Sequence, residues 1–500
     1  MVRFKLCLDS GGSGMHMQTF SHRPVEVLLL VCLLGCESGG PATTNTGPNK
    51  VAPATESTEG SAPDASQGAI IPAGKLVAAP VRYQFAVYFL SDATPADPIA
   101  EFAAAHEEKP SGFRRADQLP DEVTEPVLAT ATVDVAANYA PPDGESLHRF
   151  GRGLSPEQAE ALQSSKVALT VDFATPVEQA MPGLRAAYEL MEAYARRTNG
   201  LVWDETTREV FTPDEWKERR LETWNGEFPD VSKHVVIHAY NKGDFTRGIT
   251  LGMAKFGLPD VVVEEFPWSL NRHIGHVINL FAQTIVEGQI VTKDGEFDLD
   301  MRSIRHPDVR EPQVTSLLEH ATGVVLLTLT GGHWEDGDPD NRLIALGFGR
   351  SEGPDLYSRQ ESALANAFGW EDSVSAVQHD DKQLLAISEQ ARQKLPELKK
   401  WLEAGLAPGE YLLIKAPFKT ADDSKEWMWV EIIKWEGEKI SGLLKNEPVN
   451  VPGLHGGQMV DVSQADVFDY IATKVDGSRE GNETGKYIQS QSDSGEKSAN

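Results

Sequence analysis

Cysteine is confined to the front of this 500-residue chain: Cys7, Cys32 and Cys36 are its three, and none follows. The body beyond Cys36 therefore has no disulfide, no thiolate metal site and no cysteine nucleophile. Such a body suits an oxidising compartment, where stray thiols are a liability. Positive charge is also scarce. Lys and Arg number 46 against 75 Asp and Glu, a formal net charge of −29. A chain so acidic repels nucleic-acid phosphate, so no nucleic-acid partner is expected. Catalytic signatures are missing as well: there is no Gly-x-Ser-x-Gly elbow, no Ser-x-x-Lys, no phosphate-loop lysine and no His-Glu-x-x-His. Serine, histidine and aspartate scattered along the chain can still converge in space.

What is present at the N-terminus reads as an address. "HRPVEVLLLVCLLGCESGG" carries a short apolar core, Val27 to Leu34, after Arg23. It falls short of the roughly 20 apolar residues that span a bilayer and fits a secretory leader. Its end, Leu33-Leu34-Gly35-Cys36, resembles the lipobox of bacterial lipoproteins. The resemblance implies a signal peptide over residues 1–35, cleavage before Cys36, and a lipid on the Cys36 thiol that anchors the protein to a membrane outside the cytoplasm. A start at Met15 or Met17 gives a leader of more typical length. Residues 36–77, rich in Pro, Ser, Thr, Ala and Gly early on, read as a flexible tether. A coil of that length spans on the order of 30 Å.

From Ala78 the pattern turns globular, and length alone implies two or three folded units. "VRYQFAVYFL", "LATATVDVAA" and "KVALTVDFAT" are rich in β-branched and aromatic residues and predict strands, as do "HVVIHAY", "GITLGM" and "DVVVEEF". "GVVLLTLTGG" and "RLIALGF" predict buried strands. Leu184, Tyr188, Met191 and Ala195 form one helical stripe that stops at Asn199-Gly200, and Ile274, Val277, Ile278, Phe281 and Ile285 form another. "SPEQAEALQSS" and "TPDEWKERRLETW" carry helix starts, the second with Thr212 as cap and Pro213 behind it. Residues 78–380 are therefore expected to be α+β, or mixed α/β, with room for two subdomains divided near residues 175–200.

Several constellations invite chemistry. His234 and His238, read as one strand, lie about 13 Å apart, too far to share a tetrahedral zinc. His273 and His276 are helical neighbours without a third ligand nearby. The loop "GGHWEDGDPDN" gathers Glu335, Asp336, Asp338 and Asp340, but Arg342 and Gly347 break the calcium-loop pattern. Gly347, Gly349 and Gly353 sit between a strand and a helix, without the acidic residue that would hold a ribose. Asp204, Glu205, Arg219 and Arg220 are a further polar group, read as ordinary ion pairs around a helix. No metal and no cofactor is expected.

The last unit is the most distinctive. "SEQARQKLPELKKWLEAG" predicts a helix, "GEYLLIKAPFK" a strand, and "EWMWVEIIKW" with "KISGLLKNEP" a hairpin through Glu436-Gly437-Glu438. Trp427, Trp429, Glu431 and Ile433 share one strand face; Met428, Val430 and Ile432 share the other. Asn446, Glu447 and Pro448 follow, with Pro448 ending the ladder. The pieces "ARQKLPELKKWL", "YLLIKAPF", "EWMWVEI", "GLLKNEPVNVPGLHGGQMVDV" and "FDYI" resemble, in order, the bacterial family called domain of unknown function 2314 (DUF2314, YegJ-like). Trp429, Gly442, Asn446, Glu447, Pro448 and Gly456 fall in its pattern, while Trp427 stands where the family usually has His and Tyr470 where it has Trp. The resemblance implies a small α+β unit over residues 383–488, a helix on an antiparallel sheet, and no known reaction. Residues 489–500 read as a disordered tail.

Together these features lead to the expectation of an envelope lipoprotein that binds or assembles with an envelope protein, with Trp427, Trp429, Asn446 and Glu447 as its binding residues. The alternative is a hydrolase-like enzyme with its site near Asp204, His234, His238 or His333.

Overall fold

The computed structural model describes residues 68–90, 94–108, 110–318, 320–369, 382–420, 424–446 and 448–487, and the backbone of Leu29–Val31. Cys36, Glu447 and the segment 489–500 lie outside the described residues. The fold is α+β, and the apolar runs become strands where alternation predicts them. The first sheet runs in the order Arg114–Ala116, Val127–Asp134, Val167–Thr175, Val81–Tyr88, Leu201–Asp204, Glu209–Phe211, Gly151–Arg152. Of the similar segments "ATVDVA" and "LTVDFA", Ala131–Asp134 and Leu169–Ala174 lie in neighbouring antiparallel strands of this sheet, Ala131 opposite Thr170, while Val135 and Ala136 start a short helix. Helix Ala180–Thr198 lays the expected stripe of Leu184, Tyr188, Met191 and Ala195 into the core, and Asn199 ends it in the left-handed conformation at φ 51°. Ser155 and Gln158 close a full capping box at Pro156–Gln163, and the Thr212 side chain accepts from Glu215 N–H ahead of Pro213.

The second sheet takes the order Val236–Lys242, Phe245–Leu251, Asp260–Phe266, Leu343–Gly347, Val324–Gly331, Glu296–Asp300. Leu29–Val31 adds in parallel at its first edge, Leu29 opposite Ile237. Its chain order repeats: three strands and helix Asn271–Val286, then three strands and helix Leu356–Phe368, the third strand of each set pairing in parallel at the centre. Both helices join one hydrophobic core that runs through both sheets, from Phe85 and Tyr188 to Phe281 and Leu364. That continuity corrects the expected divide near residues 175–200. Strands 201–204 and 209–211 still belong to the first sheet, and the chain changes sheets between Phe211 and Val236. The apolar run at 324–331 is also not buried on both faces: Val325, Leu327 and Leu329 point inward while Leu326 is 37% exposed.

The segment read as tether turns into body earlier than expected. From Gly68 to Ala78 the chain straps the second sheet: Ala69 C=O accepts from Gly331 N–H (2.8 Å), Gly74 exchanges backbone bonds with Val291, and Ala78 N–H donates to Gly257 C=O (2.8 Å). Arg342 fixes the strap from the side, donating to the carbonyls of Leu76 (3.0 Å) and Gly257 (2.9 Å).

Helix Lys382–Glu403 opens the C-terminal unit and packs Ala391, Leu395 and Leu398 against its own core. The sheet beneath is wholly antiparallel: Met459–Ser463, Lys439–Leu444, Lys425–Glu436, Tyr411–Lys419, Asp469–Thr473, Arg479–Gly481. Gly442 is required here, because a Cβ would meet the Glu431 carbonyl oxygen at 2.0 Å, beside the irregular register at Ile432–Lys434.

Candidate functional site

The candidate residues fall into three places. Asp204 ends a buried strand, and its carboxylate lies in the core with the cations that neutralise it. Lys255 Nζ donates to Asp204 Oδ2 (2.6 Å), as does Arg220 Nη2 (3.1 Å), and Arg220 Nη2 also reaches Glu209 Oε2 (3.0 Å). Arg152 pairs with the other oxygen of Glu209 at 2.6 Å. Arg220 further donates to the Lys233 carbonyl and lies over the Phe211 ring, its carbon 4.6 Å from the centroid. Asp204, Arg220 and Lys255 are all 0% exposed. Burial works to raise the Asp204 carboxyl, but Lys255 and Arg220 override it and hold the group at about 2. Burial pushes Lys255 down to about 8 against the pull of Asp204. Glu205 and Arg219 turn away from this cluster: Glu205 accepts from Tyr139 and Trp203, and Arg219 pairs with Glu215 one turn back.

His234 does not lie in a strand, as the sequence had suggested. It follows the short turn Val231–Lys233, and the strand starts at Val236. Its ring is fully buried between the Tyr188 hydroxyl (Nδ1, 3.1 Å) and the Thr223 hydroxyl (Nε2, 2.9 Å). Burial, with Arg220 and Lys255 nearby, keeps it well below the usual imidazole range, so it is a neutral structural bridge.

The second place is the outer face of the second sheet. Arg247, 0% exposed, grips Asp338 through both oxygens (2.9 and 3.0 Å), donates to Glu264 (2.8 Å) and Tyr240 (2.5 Å), and takes the His333 carbonyl (2.6 Å). Asp338 Oδ2 also accepts from Glu335 N–H (2.9 Å). The acidic loop is thus not wholly solvated: one of its aspartates is the buried counter-ion of an arginine 91 residues away. His333 is exposed at the rim, and the His238 ring lies tilted at 60° against that of Tyr240, ring centroids 5.8 Å apart. Asp204 with His234, and His238 with His333, therefore occupy separate neighbourhoods. His273 and His276 pack around Phe368, and His276 Nε2 contacts Gln313. Among the described residues no group of three or more His, Cys, Asp or Glu side chains is placed to hold a metal ion. The glycine turn at 347–353 leads into a helix whose N-terminus is closed by its own Asp355, accepting from Ser358 N–H at 2.8 Å, which occupies the place a phosphate would take.

The third place is the face that carries Trp427, Trp429 and Glu431. It lies opposite the unit's helix and docks on the middle region. Helix Asn271–Val286 starts with no acidic residue in its first turn and no side-chain cap of its own. Glu431, 1% exposed, supplies the missing acceptor: it takes Ser269 N–H (2.9 Å) and Ser269 O–H (2.5 Å). Asn271 Oδ1 accepts from Gly409 N–H (2.9 Å), Lys445 bridges Glu361 (2.7 Å) and Glu431 (3.7 Å), and His455 Nδ1 lies 3.1 Å from Asp355 Oδ2. The close approach here falls on Gly457, where a Cβ would meet Ser358 N at 2.9 Å. Trp429 is packed under Lys415, 5.4 Å from ammonium to ring, and Trp427 against Phe468, centroids 4.1 Å apart. Asn446, 5% exposed, holds the hairpin's end by accepting from Trp429 N–H (2.7 Å). Tyr470 is buried and donates its hydroxyl to Glu480 (2.9 Å), while Asp469 fixes Thr484 of the closing "GNETGKY" segment (2.6 and 2.9 Å).

Glu431 should therefore work as an interdomain cap. In Glu431→Ala, amide hydrogen exchange over Ser269–Ile274 should rise at least about tenfold, since charge-assisted bonds contribute roughly 1.5–3 kcal/mol. Glu436→Ala, on the exposed hairpin end, should leave it unchanged; equal exchange in both variants refutes the cap.

The fold and its polar groups define a two-sheet α+β body with closed ion clusters, onto which a helix-on-sheet unit is clamped. Residues 382–499 match the family model described as an uncharacterized protein conserved in bacteria (DUF2314), so the C-terminal unit is similar to that family as its motifs imply. No curated protein and no solved structure matches the chain.

Proposed function

We propose that the chain is a cell-envelope lipoprotein, cut before Cys36 so that the edge strand Leu29–Val31 belongs to the precursor alone, and held to a membrane through Cys36; its body binds or assembles with an envelope partner and catalyses no reaction. The burial of Asp204 and His234 carries this reading. Both are 0% exposed and matched to internal partners, so neither presents a face to a substrate. The Leu-Leu-Gly-Cys segment and the cysteine-free body support the anchor and the oxidising location. The DUF2314-like unit acts as a docking module, and in this chain its aromatic face is engaged with the middle region through Glu431.

The test has two readouts. Protein extracted from membranes should carry a diacylglyceryl mass on an N-terminus at Cys36; an unmodified full-length N-terminus overturns the location. Pull-downs from membranes with the whole chain and with residues 382–500 deleted should recover different partners; identical sets remove the docking role.

A further inference from the structure

Where the strap meets the core, a cleft of about 250 Å³ opens between the two sheets' helices. Its walls come from three places: Leu76 and Val77 of the strap, Met181 at the start of helix Ala180–Thr198, and Leu258 and Ile285 beside the end of helix Asn271–Val286. They are aliphatic, and Ile290, at 44% exposure, leaves the rim greasy as well. Lys75 and Glu178 line the cleft, and Glu178 is exposed. Clefts at unit boundaries with apolar walls and a few polar groups are the usual form of small-ligand sites.

We propose that this cleft takes an acyl chain. The reading rests on the lipoprotein assignment for one of its two sources, because the strap that leads back toward Cys36 forms one wall of the cleft through Leu76 and Val77. Thirty-one residues separate Cys36 from Gly68, where the strap begins, and a flexible tether of that length spans roughly 30 Å, which keeps a lipid on Cys36 within reach of the opening. Each methylene that leaves water for apolar walls adds to the affinity, and Lys75 and Glu178 offer a polar head a charged side of the opening, across from the apolar side at Ile290. The second source is a lipid of the membrane itself. Both present the same chemistry to Leu76, Val77 and Met181.

The probe is cis-parinaric acid, whose fluorescence rises in apolar surroundings. The chain from residue 36 onward with Cys36→Ser, which bears no lipid, should bind it saturably. Met181→Trp, which fills the cleft, and Ile290→Asp, which charges its exposed rim, should each weaken binding at least tenfold with unchanged circular dichroism. Delipidated acylated protein compared with the Cys36→Ser protein, both without added lipid, then separates the sources: exclusion of the probe from the acylated protein alone identifies the protein's own chain as occupant, and equal binding to both identifies membrane lipid. Absence of saturable binding to the Cys36→Ser protein, or binding unaffected by both variants, overturns the proposal, and neither result depends on whether native Cys36 is acylated.

Discussion

Replacing Asp204 by alanine should cost the fold about 3–5 kcal/mol, the usual penalty for removing one partner of a buried ion cluster. The variant leaves Lys255 and Arg220, both 0% exposed, facing Glu209 alone. The loss comes less from the missing bonds than from cations stranded away from water. Urea unfolding of the whole chain measures it, and a change below about 1 kcal/mol defeats the account. Asp204→Ala combined with Lys255→Met should cost less than the sum of the two, because the second change removes one of the stranded charges. The pH dependence has a definite sign. Asp204 is held at about 2 in the folded chain, below its ordinary 3.8, so its contribution is present at neutral pH and lost as pH falls from about 4 through about 2. The difference between wild type and Asp204→Ala should narrow over that window.

Arg247→Met should be of similar size, about 3–5 kcal/mol, for the same reason on the outer face of the second sheet. Asp338 and Glu264 lose their shared cation, and the His333 carbonyl loses its donor. The effect should also be local in a way the first is not. Residues 333–341 hang on this guanidinium, so their amide exchange should rise well above that of helix Asn271–Val286. Arg247→Lys should recover only part of the stability, since an ammonium cannot grip both Asp338 oxygens while also reaching Glu264 and His333. Full recovery by lysine, or an undisturbed 333–341 segment, contradicts this picture.

Both clusters show where reading a sequence stops. Alternation and helical stripes locate the strands and the two long helices, because those patterns are set by which neighbours a residue has within a few positions. The C-terminal unit is the most legible part: alternation and turn residues give its order of elements and the ladder-ending Pro448, while Gly442 and Asn446 stand out through the family resemblance. Pairing across long separations leaves no such trace. Lys255 meets Asp204 across 51 residues, Arg247 meets Asp338 across 91, and Glu431 meets Ser269 across 162. A charge inside a sheet-forming run is the one available signal: Arg247 within Phe245–Leu251, and Glu431 between Val430 and Ile432. The alternation of Trp427, Trp429 and Glu431 identified a special face but not its occupant. His234 sits outside the strand because the β-branched run of "HVVIHAY" starts only at Val235, while the bonds from His234 N–H and Val235 N–H to the Val231 carbonyl hold His234 in a turn.

The strap at residues 68–78 also says something about how the chain is made. Ala73 N–H donates to Asp294 Oδ1 (2.7 Å) across 221 residues, and Arg342 clamps Leu76 across 266. The chain emerges N-terminus first, from a ribosome or from an export channel, and those partners are not yet present when the strap appears. The earliest ordered residues of the body must wait for nearly all of the second sheet before they can settle, at a closure cost that grows only with the logarithm of the distance. The first sheet, by contrast, can pair as soon as Phe211 has been added, so the molecule closes from its middle outward.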